Sequence, residues 1–202
     1  MSTIVTRLFD TYEHATTAVN ALEASGIPHA NISLVANNAD DRYSSSIPRT
    51  DAPVSEETAS GAGTGATLGT VLGGGAGLLA GLGMLAIPGV GPVVAAGWLV
   101  ATALGAGVGA AGGGLLGSLV GAGVSETDAH VYAEGVRRGG TLVTVKAEDS
   151  QVAEVERVLD SHSAIDTSTR GDTYRAEGWS KFDETAPAYR AGGSSTLGTP
   201  TL

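Results

Sequence analysis

The chain of 202 residues has no cysteine, which excludes disulfide bonds and thiolate metal sites. Basic residues are also scarce: 11 Lys and Arg stand against 21 Asp and Glu, and the formal net charge is −10. This balance argues against nucleic-acid binding and against polybasic attachment to anionic lipid, because both need a basic patch. The first residues lack a basic segment followed by an apolar run, so we expect no cleaved signal peptide.

Charge is missing altogether from one long stretch. Between Thr58 and Ser125 there is no Asp, Glu, Lys, Arg or His, and most of the 31 glycines fall in this stretch. It is interrupted by two prolines with two glycines between them, which predict a tight turn. The turn residues are Pro88, Gly89, Gly91 and Pro92. We therefore predict two apolar helices, at about residues 64–87 and 93–121, joined as an antiparallel hairpin.

Small residues recur at every fourth position of both predicted helices. They are Gly61, Gly65, Gly69, Gly73, Gly77 and Gly81 in the first, and Gly97, Ala101, Gly105, Gly109, Gly113, Gly117 and Gly121 in the second. This spacing keeps them on one narrow face, where two helix backbones can approach closely. A dozen helical glycines would oppose helix formation in water by roughly 10 kcal/mol. Such a glycine zipper is therefore typical of an environment without water.

The length of the predicted hairpin fits a bilayer. A span of about 22 residues reaches about 33 Å, against a hydrocarbon core near 30 Å. Two spans leave both flanking segments on one side, and every Lys and Arg lies outside the hairpin. The positive-inside rule then places both termini in the cytoplasm. We expect a two-span protein of the cell membrane, with lipid as a partner; a cytoplasmic location is the alternative.

The segments on either side of the hairpin predict one α/β domain. Residues 1–36 have the pattern of a strand, a helix and a strand, and residues 124–169 that of a helix followed by a second such unit. Two halves of this kind predict an α+β fold, a split βαβ (ferredoxin-like) domain interrupted by the hairpin over residues 61–123. Residues 37–60 are predicted to be a polar linker, and residues 170–202 a mostly disordered tail.

No residue set predicts catalysis, a cofactor, a metal or a small-molecule ligand. The glycine runs lack the Lys that belongs to a phosphate-binding loop. No Ser-His-Asp arrangement is recognisable. His130 and Glu134 stand four residues apart on a predicted helix but have no third metal ligand nearby. We therefore expect a protein that is not an enzyme.

Two pairs of residues are candidates for binding. Arg137 and Arg138 would meet lipid headgroups next to a membrane, or else compensate the dipole at a helix end. Trp179 and Phe182 stand out in a polar context. They predict a docking segment, for a partner or for the protein's own sheet; a partly ordered tail is the alternative.

Four segments of the chain form a recognisable set. They are Leu8-Phe9-Asp10 with 18–22 and 26–28, the turn at 87–92, Tyr132-Ala133-Glu134-Gly135-Val136-Arg137-Arg138-Gly139-Gly140 with 142–145, and Gly178-Trp179-Ser180-Lys181-Phe182-Asp183. Together they resemble a bacterial stress-protein family, whose members are known as general-stress or heat-induced proteins and in some cases as low-temperature-induced proteins. The third segment is the most specific. The resemblance implies a non-enzymatic, membrane-associated protein induced by stress, and it carries over no catalytic residues.

Together these observations predict a stress-related membrane protein that self-associates through its glycine-zipper hairpin and carries a cytoplasmic α/β domain. A second small-residue face at Gly75, Gly83 and Gly107 would recruit neighbouring copies into a homo-oligomer. The alternative is a water-soluble homo-oligomeric assembly, a tube or shell with the hairpins as its apolar core. A small pore is disfavoured because the spans lack a polar face.

Overall fold

The computed structural model describes residues 2–39, 83–87, 89–99, 114–186 and 189. The fold is α+β: five antiparallel strands form one sheet, and helices cover both of its faces. In chain order the elements are β1 (Ser2–Phe9), α1 (Tyr12–Ala24), β2 (Ile32–Asn37), β3 (Gly83–Ile87), β4 (Gly91–Ala96), α2 (Gly114–Gly121), α3 (Glu126–Arg137), β5 (Thr141–Glu148), α4 (Val152–Ser161) and α5 (Thr167–Ala176). The strand order across the sheet is β1-β5-β2-β4-β3.

Strands from the two halves of the sequence alternate in the sheet. β5 pairs antiparallel with β1 on one side and with β2 on the other, so the strand from the second half separates the two strands of the first. The strand, helix and strand predicted in residues 1–36 are confirmed as β1, α1 and β2, and α3, β5 and α4 confirm the helix, strand and helix predicted within residues 124–169. The β-branched and aromatic residues of β1 explain this success, because Val5 and Phe9 pack on one face of the sheet and Leu8 on the other.

One face of the sheet is covered by α1 and α4. The buried stripe Ala15, Ala18, Val19 and Leu22 of α1 packs with Val155, Val158 and Leu159 of α4 over the sheet. Thr11 caps the start of α1, because its hydroxyl accepts a hydrogen bond from the His14 N–H. The helix ends before Gly26, which has a φ of +92°. These elements form the larger apolar cluster of the described residues.

The other face is covered by α2 and α3. Leu115 and Leu119 of α2, and Ala129, Tyr132, Ala133 and Val136 of α3, are buried there. Ser125 caps the start of α3, because its hydroxyl accepts a hydrogen bond from the Asp128 N–H at 3.1 Å. α5 packs beside α3, where the side-chain-free Gly171 faces Val131.

The predicted helical hairpin is wrong around its turn. The turn itself forms, with the Val90 N–H donating to the Ile87 carbonyl at 3.1 Å. It joins two strands, however, because β3 and β4 occupy residues 83–87 and 91–96 and β4 pairs with the edge of β2. All four residues of β4 from Val93 to Ala96 are buried. A strand buried on both faces gives a continuous apolar run, which periodicity does not distinguish from a helix.

The second predicted helix, over 93–121, is also wrong as a continuous element. Gly97, a predicted zipper residue, lies at φ +98° directly after β4, and α2 begins only at Gly114, where φ is +90°. Gly117 and Gly121 do lie in a helix, α2. The other zipper residues, Gly61 to Gly81, Ala101, Gly105, Gly109 and Gly113, lie outside the described residues, as do Pro88, Gly75 and Gly107. Gly83 belongs to β3.

In the described part of the chain, no helix is long and apolar enough to cross a membrane. The predicted two-span hairpin needs its turn on the far side of the bilayer from the α/β domain. Instead the turn is seated on the domain, where a Cβ added at Gly89 would lie 2.6 Å from the Asp183 carbonyl oxygen. The turn at 87–92 therefore lies against the α/β domain, which differs from the predicted position at the far end of a two-helix hairpin.

The predicted disordered tail is wrong for residues 170–186. Asp166 starts α5 by accepting a hydrogen bond from the Thr169 N–H at 2.7 Å. Hydrogen bonds from Ser168 and Thr169 lower the pKa of the Asp166 carboxyl to about 2. The expected strand at 164–169 is reduced to one bridge, between Ile165 and Leu8. Residues 170–186 have few apolar side chains, so their sequence does not predict the ordered structure, which depends on a few aromatic residues.

Candidate functional site

The end of α3 carries a buried carboxylate between two arginines. The Glu134 side chain is 2 % exposed and accepts hydrogen bonds from Arg137 Nη1 at 3.0 Å and Arg138 Nε at 2.6 Å. Spacings of three and four residues put these groups on one helix face. Burial of a carboxylate is tolerated only when it is paired and hydrogen-bonded, and both conditions are met here.

Glycine allows this helix end to lie close to β1. A Cβ added at Gly135 would be 3.0 Å from Leu8 Cδ1, and one added at Gly140 would be 2.9 Å from the Gly135 carbonyl oxygen. The Tyr132 hydroxyl donates to the Thr6 carbonyl at 2.9 Å, which fixes α3 on the same strand. Gly139, at φ +107°, ends the helix.

α5 brings a second set of groups to the same place. The Tyr174 ring centroid lies 4.2 Å from Arg138 Cζ and 6.0 Å from Arg170 Cζ. Arg170 pairs with Asp10, the residue after β1, at 2.8 Å, and Arg138 also pairs with Glu177. We call Glu134, Arg137, Arg138, Arg170 and Tyr174 the α3-end cluster.

A polar pocket of about 170 Å³ opens within this cluster. Its lining residues are Leu8, Asp10, Gly135, Arg138, Gly139, Gly140, Arg170 and Tyr174. Burial lowers the pKa of Arg138, but hydrogen bonds to Glu134 and Glu177 more than compensate and the net pKa is raised. Burial also raises the pKa of Tyr174, against the opposing charge of Arg170. At neutral pH the pocket therefore presents two guanidinium groups and a protonated phenol.

Arg137 and Arg138, the residues predicted to meet lipid headgroups, have intramolecular partners. Both side chains are about one-fifth exposed, at 18 % and 19 %, and both bind Glu134. Their contact with lipid stays a prediction. In the sequence, Glu134 and His130 are best explained as a solvated helix face, but the structure buries Glu134. Arg170 and Tyr174 do not stand out in the sequence. The spacing of Glu134 to Arg137 and Arg138 was the signal that could have found the ion pairs.

Trp179 and Phe182 dock on the protein's own domain. Phe182 is 4 % exposed and belongs to the apolar cluster under α2 and α3, and Trp179 packs against that cluster. The Trp179 ring meets the Tyr174 ring edge-on at a centroid distance of 5.7 Å, and its N–H backbone group donates to the Tyr174 carbonyl. The next residue after Phe182, Asp183, lies over the turn at Gly89.

Parts of the four segments that carry the resemblance lie close to one another, whereas residues 18–22 and 26–28 of the first segment lie on the other face of the sheet. Leu8 contacts the glycine of the third segment, Gly135. The turn at Gly89 lies under the fourth segment at Asp183. Glu177, just ahead of that fourth segment, pairs with Arg138. Residues far apart in the sequence are therefore neighbours in the fold.

Replacing Glu134 with glutamine will lower the free energy of unfolding by about 2 kcal/mol, because two partly buried guanidinium groups lose their shared countercharge. Urea denaturation of the purified chain measures this difference. Glu154→Gln is the matched control: Glu154 pairs with Arg157 three residues on, in an exposed part of α4, where such pairs contribute less than about 1 kcal/mol. Equal losses of unfolding free energy in the two variants would show that the buried ion pairs of Glu134 stabilise the fold no more than an exposed pair does.

In the part of the chain that the structure describes, no group of three or more His, Cys, Asp and Glu side chains is placed to hold a metal ion. His130 lies 3.9 Å from the Glu126 carboxylate, not in a pair with Glu134. The site is therefore defined by arginine, tyrosine and glycine rather than by metal ligands. No protein-family model, curated protein or solved structure matches the chain.

Proposed function

We propose that this chain is a non-enzymatic, stress-related protein whose α+β domain carries an apolar, glycine-rich insertion through which copies of the chain associate. The domain itself is of the split βαβ, ferredoxin-like type. β5 lying between β1 and β2 supports this assignment, as does α4 packing beside α1. The bridge from Ile165 to the outer side of β1 stands where such a fold has its last strand.

The observation that carries the proposal is how the uncharged stretch is joined to the sheet. It holds no charge from Thr58 to Ser125, and it contributes β3 and β4 at one edge of the sheet. Among the described strands, β3 pairs only with β4. An apolar edge strand without charges is the kind of surface that promotes association between chains. Residues 58–82, which are also uncharged, lead directly into that strand.

The connection to the sheet favours association in water over insertion in a bilayer. A helical span needs about 20 residues, so the uncharged residues 58–82 offer length for one span. One crossing would separate β3 from β2 by the thickness of a membrane, yet β2, β4 and β3 are neighbours in one sheet. We therefore infer a water-soluble homo-oligomer with the apolar insertion at its centre.

The other two parts of the proposal have separate support. The likeness of four segments to bacterial stress proteins supports the stress-related role. The commitment of the α3-end cluster to internal ion pairs supports a role other than catalysis, since the carboxylate of Glu134 already binds two arginines.

The test compares the full chain with a variant in which residues 61–82 are replaced by a Gly/Ser linker of equal length. Without detergent, we expect the full chain to stay in the supernatant of a high-speed spin as a particle much larger than its 20.0 kDa monomer. We expect the variant to elute as a monomer in light scattering. The same replacement of the charged linker 40–57 is the control and should leave the assembly intact.

Three results would contradict the proposal. A monomeric full chain would remove self-association. An unchanged particle in the 61–82 variant would place association elsewhere. Full-length protein that stays in alkali-washed membranes, with the variant released, would assign the insertion to lipid instead of to other copies.

A further inference from the structure

We propose that the pocket in the α3-end cluster binds a small oxyanion, a phosphate or a carboxylate, through Arg138, Arg170 and Tyr174. The pocket lies at the end of β1, where α3 stops and α5 passes. Gly139 and Gly140 form part of its wall without side chains. This inference is independent of self-association, because it uses none of the residues of the insertion.

The two arginines have hydrogen-bond donors to spare. Arg138 uses Nε for Glu134 and Nη1 for Glu177, and no acceptor for its Nη2 is found among the described residues. Arg170 uses Nη2 for Asp10 and also donates to the Tyr174 hydroxyl. A guanidinium has five N–H donors, so donors remain on Arg170 as well. Guanidinium groups offer planar pairs of donors that match the oxygens of carboxylates and phosphates.

Contacts within the chain hold the two arginine side chains in place. Arg138 is stacked on Tyr174 at 4.2 Å and tied to the buried Glu134. Arg170 is tied to Asp10 at 2.8 Å. Side chains that are already ordered lose little conformational entropy when a ligand arrives. The Tyr174 hydroxyl, protonated at neutral pH, is a further donor on the same wall.

Donor groups and size select the class of ligand. Two guanidinium groups and one carboxylate line the pocket, and Glu134 and Glu177 pair with Arg138 from outside that lining, so the remaining guanidinium donors rather than a net positive charge favour an oxyanion. Asp10 alone would be a poor ligand set for a cation. A volume of about 170 Å³ suits a phosphate or a short carboxylate rather than a nucleotide.

The geometry also predicts the direction in which two substitutions change the affinity for the oxyanion. Arg170→Gln removes a donor and a positive charge, so it should weaken oxyanion binding about tenfold. Asp10→Asn removes the opposing carboxylate and frees Arg170 Nη2, so it should tighten binding several-fold, roughly the effect of one nearby charge. Both variants break the same ion pair. General damage to the fold would therefore move both in one direction, whereas the site requires opposite changes.

The experiment is equilibrium dialysis of the full chain against labelled inorganic phosphate, with ionic strength held constant by chloride. Arg175→Gln is the matched control, because Arg175 lies on α5 but pairs with Asp172 in solvent. We expect saturable binding that Arg175→Gln leaves unchanged, and that Arg170→Gln and Asp10→Asn shift in opposite directions. Absence of saturable binding up to millimolar phosphate, equal effects of the two arginine variants, or weaker binding in Asp10→Asn would each overturn the proposal.

Two further arms identify the source of the oxyanion. Competition by acetate would show that a carboxylate suffices, and its absence would restrict the site to phosphate. Co-sedimentation with phosphatidylglycerol vesicles that Arg170→Gln abolishes would place the oxyanion on a lipid headgroup. Phosphate binding without co-sedimentation would assign the site to a free anion.

Discussion

Replacing Gly97 with alanine will destabilise the domain by about 3–5 kcal/mol. Gly97 follows β4 at φ +98°, a left-handed conformation that costs an L-residue about 1–2 kcal/mol. A Cβ there would also lie 2.6 Å from Ser33 Cα and closer still to the Ile32 carbonyl oxygen. Both of these atoms belong to the backbone of β2, so no side-chain rotation can relieve the clash.

The hydrogen bonds around Gly97 add to the expected loss. The Ser33 hydroxyl donates to the Ala96 carbonyl at 2.8 Å, and the Trp98 indole N–H donates to the Asn31 carbonyl at 3.1 Å. Both hold residues 96–98 on β2, and both lengthen if β4 is pushed away. Each such bond contributes about 1 kcal/mol, which is why the total exceeds the cost of backbone strain alone.

The matched control is Gly123→Ala. Gly123 has the same φ of +98°, but a Cβ there has nothing within 4 Å, so the control isolates the cost of backbone strain. Urea unfolding followed by circular dichroism measures both variants. We expect Gly97→Ala to lose about 2–3 kcal/mol more than the control; losses that agree within error would mean that β4 does not lie against β2 at this residue.

The flanking domain was predictable because its pattern is locally decisive. The apolar stripe of α1 and the Ser125 cap of α3 are local signals, and each of them indicates a helix and no other element. The insertion was not. Val93 and Val94 form a short apolar run between glycines, and whether such a run becomes strand or helix depends on the free edge of β2, which no window of the sequence contains.

The candidate site was predictable only in parts. Arg137 and Arg138 are recognisable in the sequence as a basic pair. Their partner Glu134 lies four residues from both His130 and Arg138, and spacing alone does not distinguish the two. Asp10 and Arg170 are 160 positions apart, and their contact depends on β1 and α5 meeting at the end of α3. Charge pairs of this separation have no local signature, whereas Trp179 and Phe182 stood out because aromatic residues are rare in a polar segment.

Replacing Phe182 with alanine will detach the segment from Trp179 to Ala186. Phe182 is 4 % exposed and belongs to the same apolar cluster as Val90, Leu115 and Leu119. Truncation of a buried Phe costs about 3–5 kcal/mol. Because few other apolar anchors hold this segment, we expect the loss to appear mainly as local release, raising the population of the detached form by more than about a hundredfold.

Trypsin cleavage after Lys181 measures that release, because the protease acts on the open form and its rate follows the open population. We expect the cleavage rate of Phe182→Ala to exceed that of the unsubstituted chain by more than about a hundredfold. Trp179 fluorescence should shift to longer wavelength as its ring leaves the Tyr174 ring. Val120→Ala is the control, since Val120 is a large apolar residue of α2 but 42 % exposed. Since Asp183 lies over Gly89, release should also remove one support of the β3–β4 turn. Cleavage at the control's rate in Phe182→Ala would mean that the segment is held by other contacts, and its proposed hold on that turn would fail with it.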